Sequence, residues 1–205
     1  MNSVPQTFPS WRQSLAASLN KSRSKARSKY FQIASVNANG LPKNRTVVFR
    51  GFVEGTNHLS VITDSRSNKY EQWQNNDFAE ICWYFDLSRE QYRIMCKTSL
   101  VDALSEHQDI RKDSWQRLSM NAKAQFFWPC PGDEYDDKKE DAFDVDDAIL
   151  KDATAPDNFV VVVLLPQEID YLNLKTQPQT REISRFESPR DGNERYLWET
   201  KQVNP

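Results

Sequence analysis

The feature that most constrains the fold is a series of β-strand patterns that follow one another closely between Tyr30 and Val101. Apolar and polar residues alternate through Phe78–Phe85 and again through Glu90–Val101, as they do in strands with one buried face. Because the turns between these strands are short, neighbours are expected to pair antiparallel, and a curled sheet protects its edges. The sequence therefore predicts an antiparallel meander curled into a barrel. The remaining strands of this series are predicted over Tyr30–Val36, Pro42–Val53 and Leu59–Thr63.

Helices are predicted before, within and after this strand region. Ser10 and Gln13 have the spacing of a capping box at the start of an N-terminal helix of about residues 10–22. A short helix is expected over Ser67–Asn75, and His107–Ser119 has apolar residues at helical spacing. The chain, residues 1–205, is thus expected to be a single domain, mainly β with flanking helices.

The C-terminal part of the chain is predicted to add an acidic segment and further strands. Residues 131–157 are acidic, and this insertion is expected to be mobile and solvated because it offers little apolar surface to bury. Asn158–Leu165 is apolar on both faces, which is typical of a buried central strand. Pro166 is expected to turn the chain. The strands after that turn are predicted over Ile169–Leu174, Thr180–Phe186 and, at an edge, Arg195–Glu199.

Composition argues against several classes of function. The net charge of the 205-residue chain is −2, so no overall positive field favours nucleic acid or an anionic membrane. Two histidines and three cysteines without a CxxC motif supply little material for a zinc site or a Ser-His-Asp triad, and no metal is expected. The odd cysteine count favours the cytoplasm over a disulfide-forming compartment. No apolar run is long enough to span a bilayer.

The segment Asn44–Lys69 carries residue types that suit a phosphate. It runs from a strand that includes Arg50, through a second strand, into Asp-Ser-Arg-Ser-Asn-Lys at a predicted helix start. Unpaired N–H groups at a helix start, Ser and Thr hydroxyls, and Arg or Lys side chains all favour a phosphate dianion. The alternative is that Ser67 is an ordinary helix cap and that Arg66 and Lys69 are surface charges.

Strand periodicity raises a difficulty for this site, because Arg45 and Arg50 fall on opposite faces of a regular strand. Both can border one ligand only if the strand twists, bulges or contributes backbone contacts. Gly51 would permit such a distortion.

Several motifs follow one another in this part of the chain: RTVVFRGF from Arg45, VITDSRSNK from Val61 and QNNDFAEICWYFDLSREQYRI from Gln74. In the C-terminal part, Leu164–Leu172 is followed by a basic segment at Arg181–Arg185. These motifs and their order resemble the pyridoxamine 5'-phosphate oxidase family, flavoproteins with the FMN-binding split β-barrel fold. The likeness covers most of the chain from Tyr30 to Trp198 outside the acidic insertion, and it indicates a divergent branch.

The resemblance implies that FMN binds in a homodimer interface. Ser67 and Lys69 would hold its 5'-phosphate, while Gln91 and Arg185 would reach the flavin of the partner subunit. Arg50 and Arg181 would hold a substrate phosphate. The other cofactor contacts implied on this chain are Arg45, Thr46, Val47, Val48, Arg50, Ile62, Thr63, Arg66 and Gln125.

Three positions depart from the family pattern. Asn68 stands where the family usually has a phosphate-binding Arg, for which Arg66 is expected to compensate. Leu172 stands where a Trp beside the flavin is usual, and Ile183 where the oxidase has a substrate-binding His. FMN binding is therefore better supported by the resemblance than oxidation of a B6 vitamer, and an apolar Ile183 suits a flatter or more apolar substrate.

The leading interpretation is an FMN-dependent oxidoreductase of the pyridoxamine/pyridoxine 5'-phosphate oxidase type. Hydride would pass from a small-molecule substrate, such as a B6 phosphate, to FMN and then to oxygen. One alternative is an FMN-binding module or flavin reductase that acts on a different substrate without B6-vitamer oxidase activity. Another is a nucleic-acid-associated barrel that uses the basic stretch Lys21–Lys29, which is more typical of a solvated helix end and linker.

Overall fold

The computed structural model describes residues 8–136, 141–187 and 197–205 of the chain. In these ranges a mainly antiparallel sheet is curled into a half-barrel with helices at its flanks, as the strand alternation predicts. The strands are β1 (Tyr30–Val36), β2 (Pro42–Val48), β3 (Gly51–Phe52), β4 (Leu59–Asp64), β5 (Phe78–Phe85), β6 (Glu90–Val101), β7 (Phe159–Asn173), β8 (Thr180–Glu187) and β9 (Leu197–Val203). The α-helices are α1 (Ser10–Lys21), α2 (Asn68–Asn75), α3 (Gln108–Gln116), α4 (Met120–Ala124) and α5 (Asp147–Asp152), and short 3-10 helices occupy Ala26–Lys29 and Gln125–Phe127.

The sheet has the strand order β2-β1-β5-β6-β7-β4-β3, with β8 on β7 and β9 on β8. The predicted meander is therefore wrong: β4 does pair with β3, which lies inside the predicted strand Pro42–Val53, but its other neighbour is the C-terminal β7 and not β5. Helix α2 follows β4 and carries the chain across the barrel to β5. Strand patterns in a sequence indicate which faces are buried, but the partner of β4 is fixed by the distant apolar run of β7.

The core is built from aromatic rings on the inward face of the sheet. Alternate residues of β5 and β6 are buried, as the period of two predicts. Trp83 is fully buried, and its ring lies 4.9 Å from that of Phe31 and 5.0 Å from that of Phe49, measured between centroids. A second cluster forms where α3 packs on β7, with the rings of Trp115 and Phe159 5.0 Å apart.

Helix α1 spans Ser10–Lys21, but the predicted capping box is wrong. The N-cap residue is Pro9, and no side chain caps the helix. Gln13 instead donates a hydrogen bond to the carbonyl of Phe8 (2.8 Å). Trp11 and Leu15 anchor the apolar stripe of this helix in the core.

A buried carboxylate ties α1 to the sheet. Glu90 accepts hydrogen bonds from Ser18 Oγ (2.8 Å) and Tyr171 Oη (2.8 Å), and Ser18 also contacts Tyr92 Oη (3.0 Å). Burial by itself raises the pKa of Glu90, but the nearby hydroxyl of Ser88 and the hydrogen bonds from Ser18 and Tyr171 outweigh it and hold that pKa below its usual value. Glu90 therefore stabilises the fold as an anion.

Strand β7 does not turn at Pro166, contrary to the prediction. The strand continues because Gln167 is bulged: Cys96 pairs with Pro166 while Met95 pairs with Glu168. A bulge accommodates proline within a sheet because it locally interrupts the ladder of backbone hydrogen bonds, to which proline cannot donate an N–H. The apolar half of β7 then lies between β4 and β6, and its C-terminal half lies between β6 and β8.

The acidic insertion of residues 131–157 includes a packed element. Leu150, on α5, is 1% exposed, and Trp115 Nε1 donates to the carbonyl of Ala153 (2.7 Å). Arg111 is buried and donates to the carbonyls of Phe159, Ala155 and Pro156. The last part of the insertion is thus held against α3 instead of being solvated throughout. Residues 137–140 lie outside the described ranges, as does the start of the predicted strand Arg195–Glu199.

The basic stretch before β1 is engaged within the chain. Lys25 Nζ lies 3.3 Å from Asp86 Oδ2, and Arg27 donates to the same carboxylate oxygen. This pairing fits a surface-exposed linker between α1 and β1.

Candidate functional site

A cavity of about 340 Å³ lies between β2, β4 and the start of α2. It brings together residues from the two strands that the sequence separates by a turn and by β3. Residues 125–131 border it from a third direction, after α4. The predicted cofactor residues that line the cavity are Arg45, Thr46, Val47, Val48, Arg50, Ile62, Thr63, Ser67, Lys69 and Gln125.

Consecutive residues of β2 line the cavity because β2 lies at one end of the strand order. Within the described residues it pairs with β1 alone, so its other backbone edge is free. This free edge faces the cavity, together with side chains from both faces of the strand. After Val48 the strand breaks, and Arg50 donates its backbone N–H to Ser60 of β4 (2.9 Å). Gly51 adopts φ +133°, a conformation that side-chain-bearing residues rarely adopt. This distortion resolves the periodicity difficulty and allows Arg45 and Arg50 to border the same cavity.

Arg45 is held rigidly at the cavity wall. It donates to Ser35 Oγ (2.6 Å), to Gln72 Oε1 (2.8 Å) and to the carbonyl of Lys43 (3.2 Å), none of which carries a negative charge. Burial lowers the pKa of the Arg45 guanidinium, which remains protonated. Its positive charge is therefore positioned but not neutralised.

Lys69, in the first turn of α2, is the second cation of the cavity. It makes no hydrogen bond or ion pair with any residue in the described ranges. Burial and the nearby charge of Arg45 lower the pKa of its ammonium, although Asp64 acts in the opposite direction. A cation that is desolvated, repelled by a neighbour and without a partner favours an anionic ligand at this point.

Two buried hydroxyls lie beneath these cations. Thr63 Oγ1 and Ser67 Oγ are 3.1 Å apart, and Ser67 Oγ donates to the carbonyl of Asp64 (2.7 Å). Ser67 is the N-cap residue of α2, but its side chain does not cap the helix. The hydroxyl proton of Ser67 is already donated to a backbone carbonyl. The two cations and the N–H groups at the helix start therefore have a larger capacity to bind an anion here than the hydroxyl has.

Arg66 is placed differently from the expectation that it compensates for Asn68. Its Nε and one terminal nitrogen donate to the two oxygens of Asp64 (2.9 and 2.6 Å), and the other terminal nitrogen donates to the carbonyl of Trp128 (3.1 Å). It does not line the cavity in the described structure. The sequence did not predict Asp64, Phe126 or Trp128 as lining residues. Phe126 and Trp128 are distant in sequence from the strands that they face, and no local pattern indicates that they lie beside them.

A second cavity, of about 540 Å³, adjoins the first and shares Val48 and Arg50 with it. Helix α3 forms one wall and presents Asp109 and Asp113, with Arg117 paired to Asp113 (3.0 Å). The guanidinium of Arg50 makes no hydrogen bond or ion pair within the described ranges, and its burial lowers its pKa. Its cation thus lies at the junction of the two cavities.

The predicted contacts Gln91, Arg181 and Arg185 do not line either of these cavities. Arg181 binds Asp170 through two nitrogens (2.9 and 2.8 Å), and Arg185 Nε lies 2.6 Å from Glu168 Oε2. These residues lie instead on the outward face of β6, β7 and β8. Paired residues on neighbouring antiparallel strands have side chains on the same face of the sheet. The strand register therefore places one row of paired residues on this outward face: Thr46, Gln32, Cys82, Arg93, Asp170 and Ile183.

The described residues form neither a metal-binding cluster nor a membrane-spanning helix. Across residues 8–136, 141–187 and 197–205, no three His, Cys, Asp or Glu side chains are grouped so that they could hold a metal ion. No described helix has both the length and the apolar character needed to cross a bilayer.

The fold and the cavity define a flavoprotein of the FMN-binding split-barrel class. The family model for the pyridoxamine 5'-phosphate oxidase FMN-binding domain matches residues 8–102. The chain is 32% identical to pyridoxine/pyridoxamine 5'-phosphate oxidase 2 of Arabidopsis thaliana over 199 residues, which cover 95% of this chain and 96% of that protein. The chain belongs to the pyridoxamine 5'-phosphate oxidase family, and its cofactor is FMN.

Solved structures agree with this assignment. A pyridoxamine 5'-phosphate oxidase-related, FMN-binding protein from Nostoc punctiforme is 38% identical, with a TM-score of 0.87 over 98% of this chain and 100% of that chain. PhzG from Burkholderia lata, solved with tetrahydrophenazine-1-carboxylic acid, is 20% identical, with a TM-score of 0.74 over 100% of both chains. The second likeness concerns the fold alone.

The residues of the first cavity fit the FMN phosphate. Arg45 on β2 and Lys69 in the first turn of α2 line the same cavity, where a dianion would neutralise both cations. These two side chains would hold the phosphate end. Ile62 and the free edge of β2 would hold the rest of the nucleotide.

Proposed function

We propose that the protein is an FMN-dependent oxidase of the pyridoxamine/pyridoxine 5'-phosphate oxidase type. The observation that carries the proposal is the pair of adjoining cavities joined at Arg50, one with a phosphate-type cation pair and the other large enough for a small organic molecule. Bound FMN would supply hydride acceptance and reoxidation by oxygen.

The chain itself would supply position and charge. Lys69 and Arg45 would hold the anionic end of the cofactor, and Val48 and Arg50 line the same cavity where it adjoins the second one. The guanidinium of Arg50, which has no hydrogen-bond or ion-pair partner in the described ranges, would bind an anionic group of the substrate from the second cavity. This division of roles needs no acid–base pair, because the reacting groups are oriented by binding energy.

We further propose that the active form is a homodimer with the flavin at the interface. The row from Thr46 to Ile183 places side chains of β2, which lines the first cavity, and of β8, which carries Arg181 and Arg185, on one outward face. A two-fold axis on this face would bring Gln91, Arg181 and Arg185 of one subunit toward the cavity of the other. Since Arg181 is already paired with Asp170, its contribution to binding a substrate phosphate would be smaller than that of Arg50.

Anaerobic reduction tests the proposal. The purified protein loaded with FMN is mixed with pyridoxine 5'-phosphate or pyridoxamine 5'-phosphate, and the visible flavin absorption is followed before and after air is admitted. Loss of the oxidised-flavin band with substrate, and its return with air, is expected. A flavin that stays oxidised with both phosphates would contradict B6-vitamer oxidation while leaving cofactor binding intact.

A second candidate is oxidation or reduction of a different, phosphate-free substrate. It is favoured by Asp109 on the wall of the second cavity, where Asp113 is already paired with Arg117, and by Ile183 on the outward face. Carboxylates repel a phosphate and attract a cationic group, and Ile183 offers an apolar contact. Reduction of the bound flavin by an amine-bearing aromatic compound, and not by either B6 phosphate, would support this candidate.

A further inference from the structure

The segment of residues 125–131, here called the lip, closes one side of the FMN cavity. It contributes Gln125, Phe126, Trp128 and Pro131 to the cavity lining. Its backbone is attached to the rest of the protein through two side chains from distant parts of the chain. Arg66 donates to the carbonyl of Trp128 (3.1 Å), and Asn158 Nδ2 donates to the carbonyl of Phe126 (2.9 Å).

Both attachments meet at Asp64. This carboxylate accepts from Arg66 Nε (2.9 Å), from a terminal nitrogen of Arg66 (2.6 Å) and from the backbone N–H of Arg66 (2.8 Å). It also accepts from Asn158 Nδ2 (2.7 Å). Asp64 is 9% exposed, so these charge-assisted bonds are shielded from water and stronger than those of a surface pair.

The geometry argues against Arg66 as a ligand of the FMN phosphate. All three of its guanidinium nitrogens already donate to protein oxygens. Its charge is neutralised by the bidentate contact with Asp64, whose own negative charge would repel a phosphate. Burial alone raises the pKa of Asp64, but the hydrogen bonds from Arg66 and Asn158 prevail and lower it, which keeps the carboxylate ionised.

We propose that Asp64, Arg66 and Asn158 form a latch that holds the lip over the bound flavin and slows release of the cofactor. This inference rests on the proposed location of FMN in the first cavity. The three residues are positioning residues: they act on the flavin through the backbone of residues 126 and 128. The latch holds any flavin, whatever its phosphate content, because its contacts are made to the lip and not to the ligand.

The test measures dissociation rates of FMN and of riboflavin, which lacks the phosphate, by stopped-flow recovery of flavin fluorescence. Arg66→Gln and Asn158→Ala each remove one attachment of the lip, and Lys69→Met removes a phosphate contact. The control Arg27→Gln removes a surface ion pair with Asp86 far from the cavity. Thermal unfolding of each variant without flavin verifies that it is folded.

We expect Arg66→Gln and Asn158→Ala to accelerate release of both flavins by the same factor, about tenfold to a hundredfold. Lys69→Met should accelerate FMN alone, and Arg27→Gln neither. If Arg66→Gln accelerates FMN but leaves riboflavin unchanged, Arg66 is a phosphate ligand and the latch is refuted. If both latch variants release both flavins at the wild-type rate, the lip does not control release. A wild-type protein that binds neither flavin would overturn the location of the cofactor as well.

Discussion

Replacing Lys69 with methionine tests the phosphate end of the cavity, since it removes one charge while keeping most of the side-chain length. One charge-assisted hydrogen bond contributes roughly 1.5–3 kcal/mol, and a tenfold change in affinity corresponds to about 1.4 kcal/mol. The dissociation constant for FMN should therefore rise by about tenfold to 150-fold. Arg45 and the start of α2 remain, so binding should weaken without being abolished.

The assay is titration of the apoprotein with flavin, followed by quenching of flavin fluorescence. Riboflavin serves as the internal control, because it lacks the group that Lys69 is proposed to bind. Its affinity should be the same for the wild-type protein and for Lys69→Met. Equal loss of affinity for FMN and riboflavin, or no loss for either, would refute the placement of the phosphate beside Lys69.

The pH dependence of the same titration gives an independent check. Burial and Arg45 lower the pKa of Lys69 in the apoprotein, and a bound phosphate would raise it. FMN should therefore bind with full affinity at pH values below the pKa of Lys69 in the apoprotein. Affinity should then fall with increasing pH, beginning below the ordinary lysine value of 10.5. Lys69→Met should lack this alkaline decline. The protonated amine also opposes folding of the apoprotein, so the variant should be no less stable than the wild type.

Three further predictions concern stability and the shape of the cavity. Glu90→Gln should cost about 1–3 kcal/mol at neutral pH, measured by urea unfolding. Because the folded-state pKa of Glu90 is depressed, this difference should shrink as pH falls through that value, and a pH-independent difference would contradict the stabilising role of the anion. Leu150→Ala should cost about 2–4 kcal/mol, whereas the neighbouring Ile149→Ala, at a 58% exposed position, should cost less than about 0.5 kcal/mol; equal costs would argue against packing of α5. Gly51→Ala should lower the free energy of unfolding by about 1–3 kcal/mol through backbone strain, and it should weaken flavin binding. Unchanged flavin binding would show that the strand break at Gly51 does not shape the cavity.

Local patterns were sufficient to predict most strands, because the burial of alternate residues is visible within each segment. The bounds of β5 and β6 agree with the sequence prediction for this reason. Pairing partners were not predictable in the same way. Strand β4 joins β7, which lies almost a hundred residues later in the chain, and the strand patterns are equally compatible with a meander.

The same distinction holds for the candidate site: residues close together in sequence could be predicted to lie together, whereas contacts between distant segments could not. The sequence could predict that Thr63, Ser67 and Lys69 lie together, because a strand end and a helix start follow each other there, and the three residues line one cavity. It could not predict the ion pair of Arg66 with Asp64, because charge and spacing do not reveal which partner a side chain takes. Trp128 was missed entirely, since the lip reaches the cavity only after the helices that follow β6 have packed against β7.

The long strand β7 shares hydrogen bonds with β4 at one end, with β6 along its length and with β8 at the other end. Its backbone amides between Phe159 and Leu164 are buried on both faces, so they can exchange with deuterium only when the whole sheet opens. Strand β4, which lines the first cavity, and strand β8, which carries Arg181 and Arg185, therefore belong to one cooperative unit with β7. The slowest exchange in the protein should report the integrity of both at once.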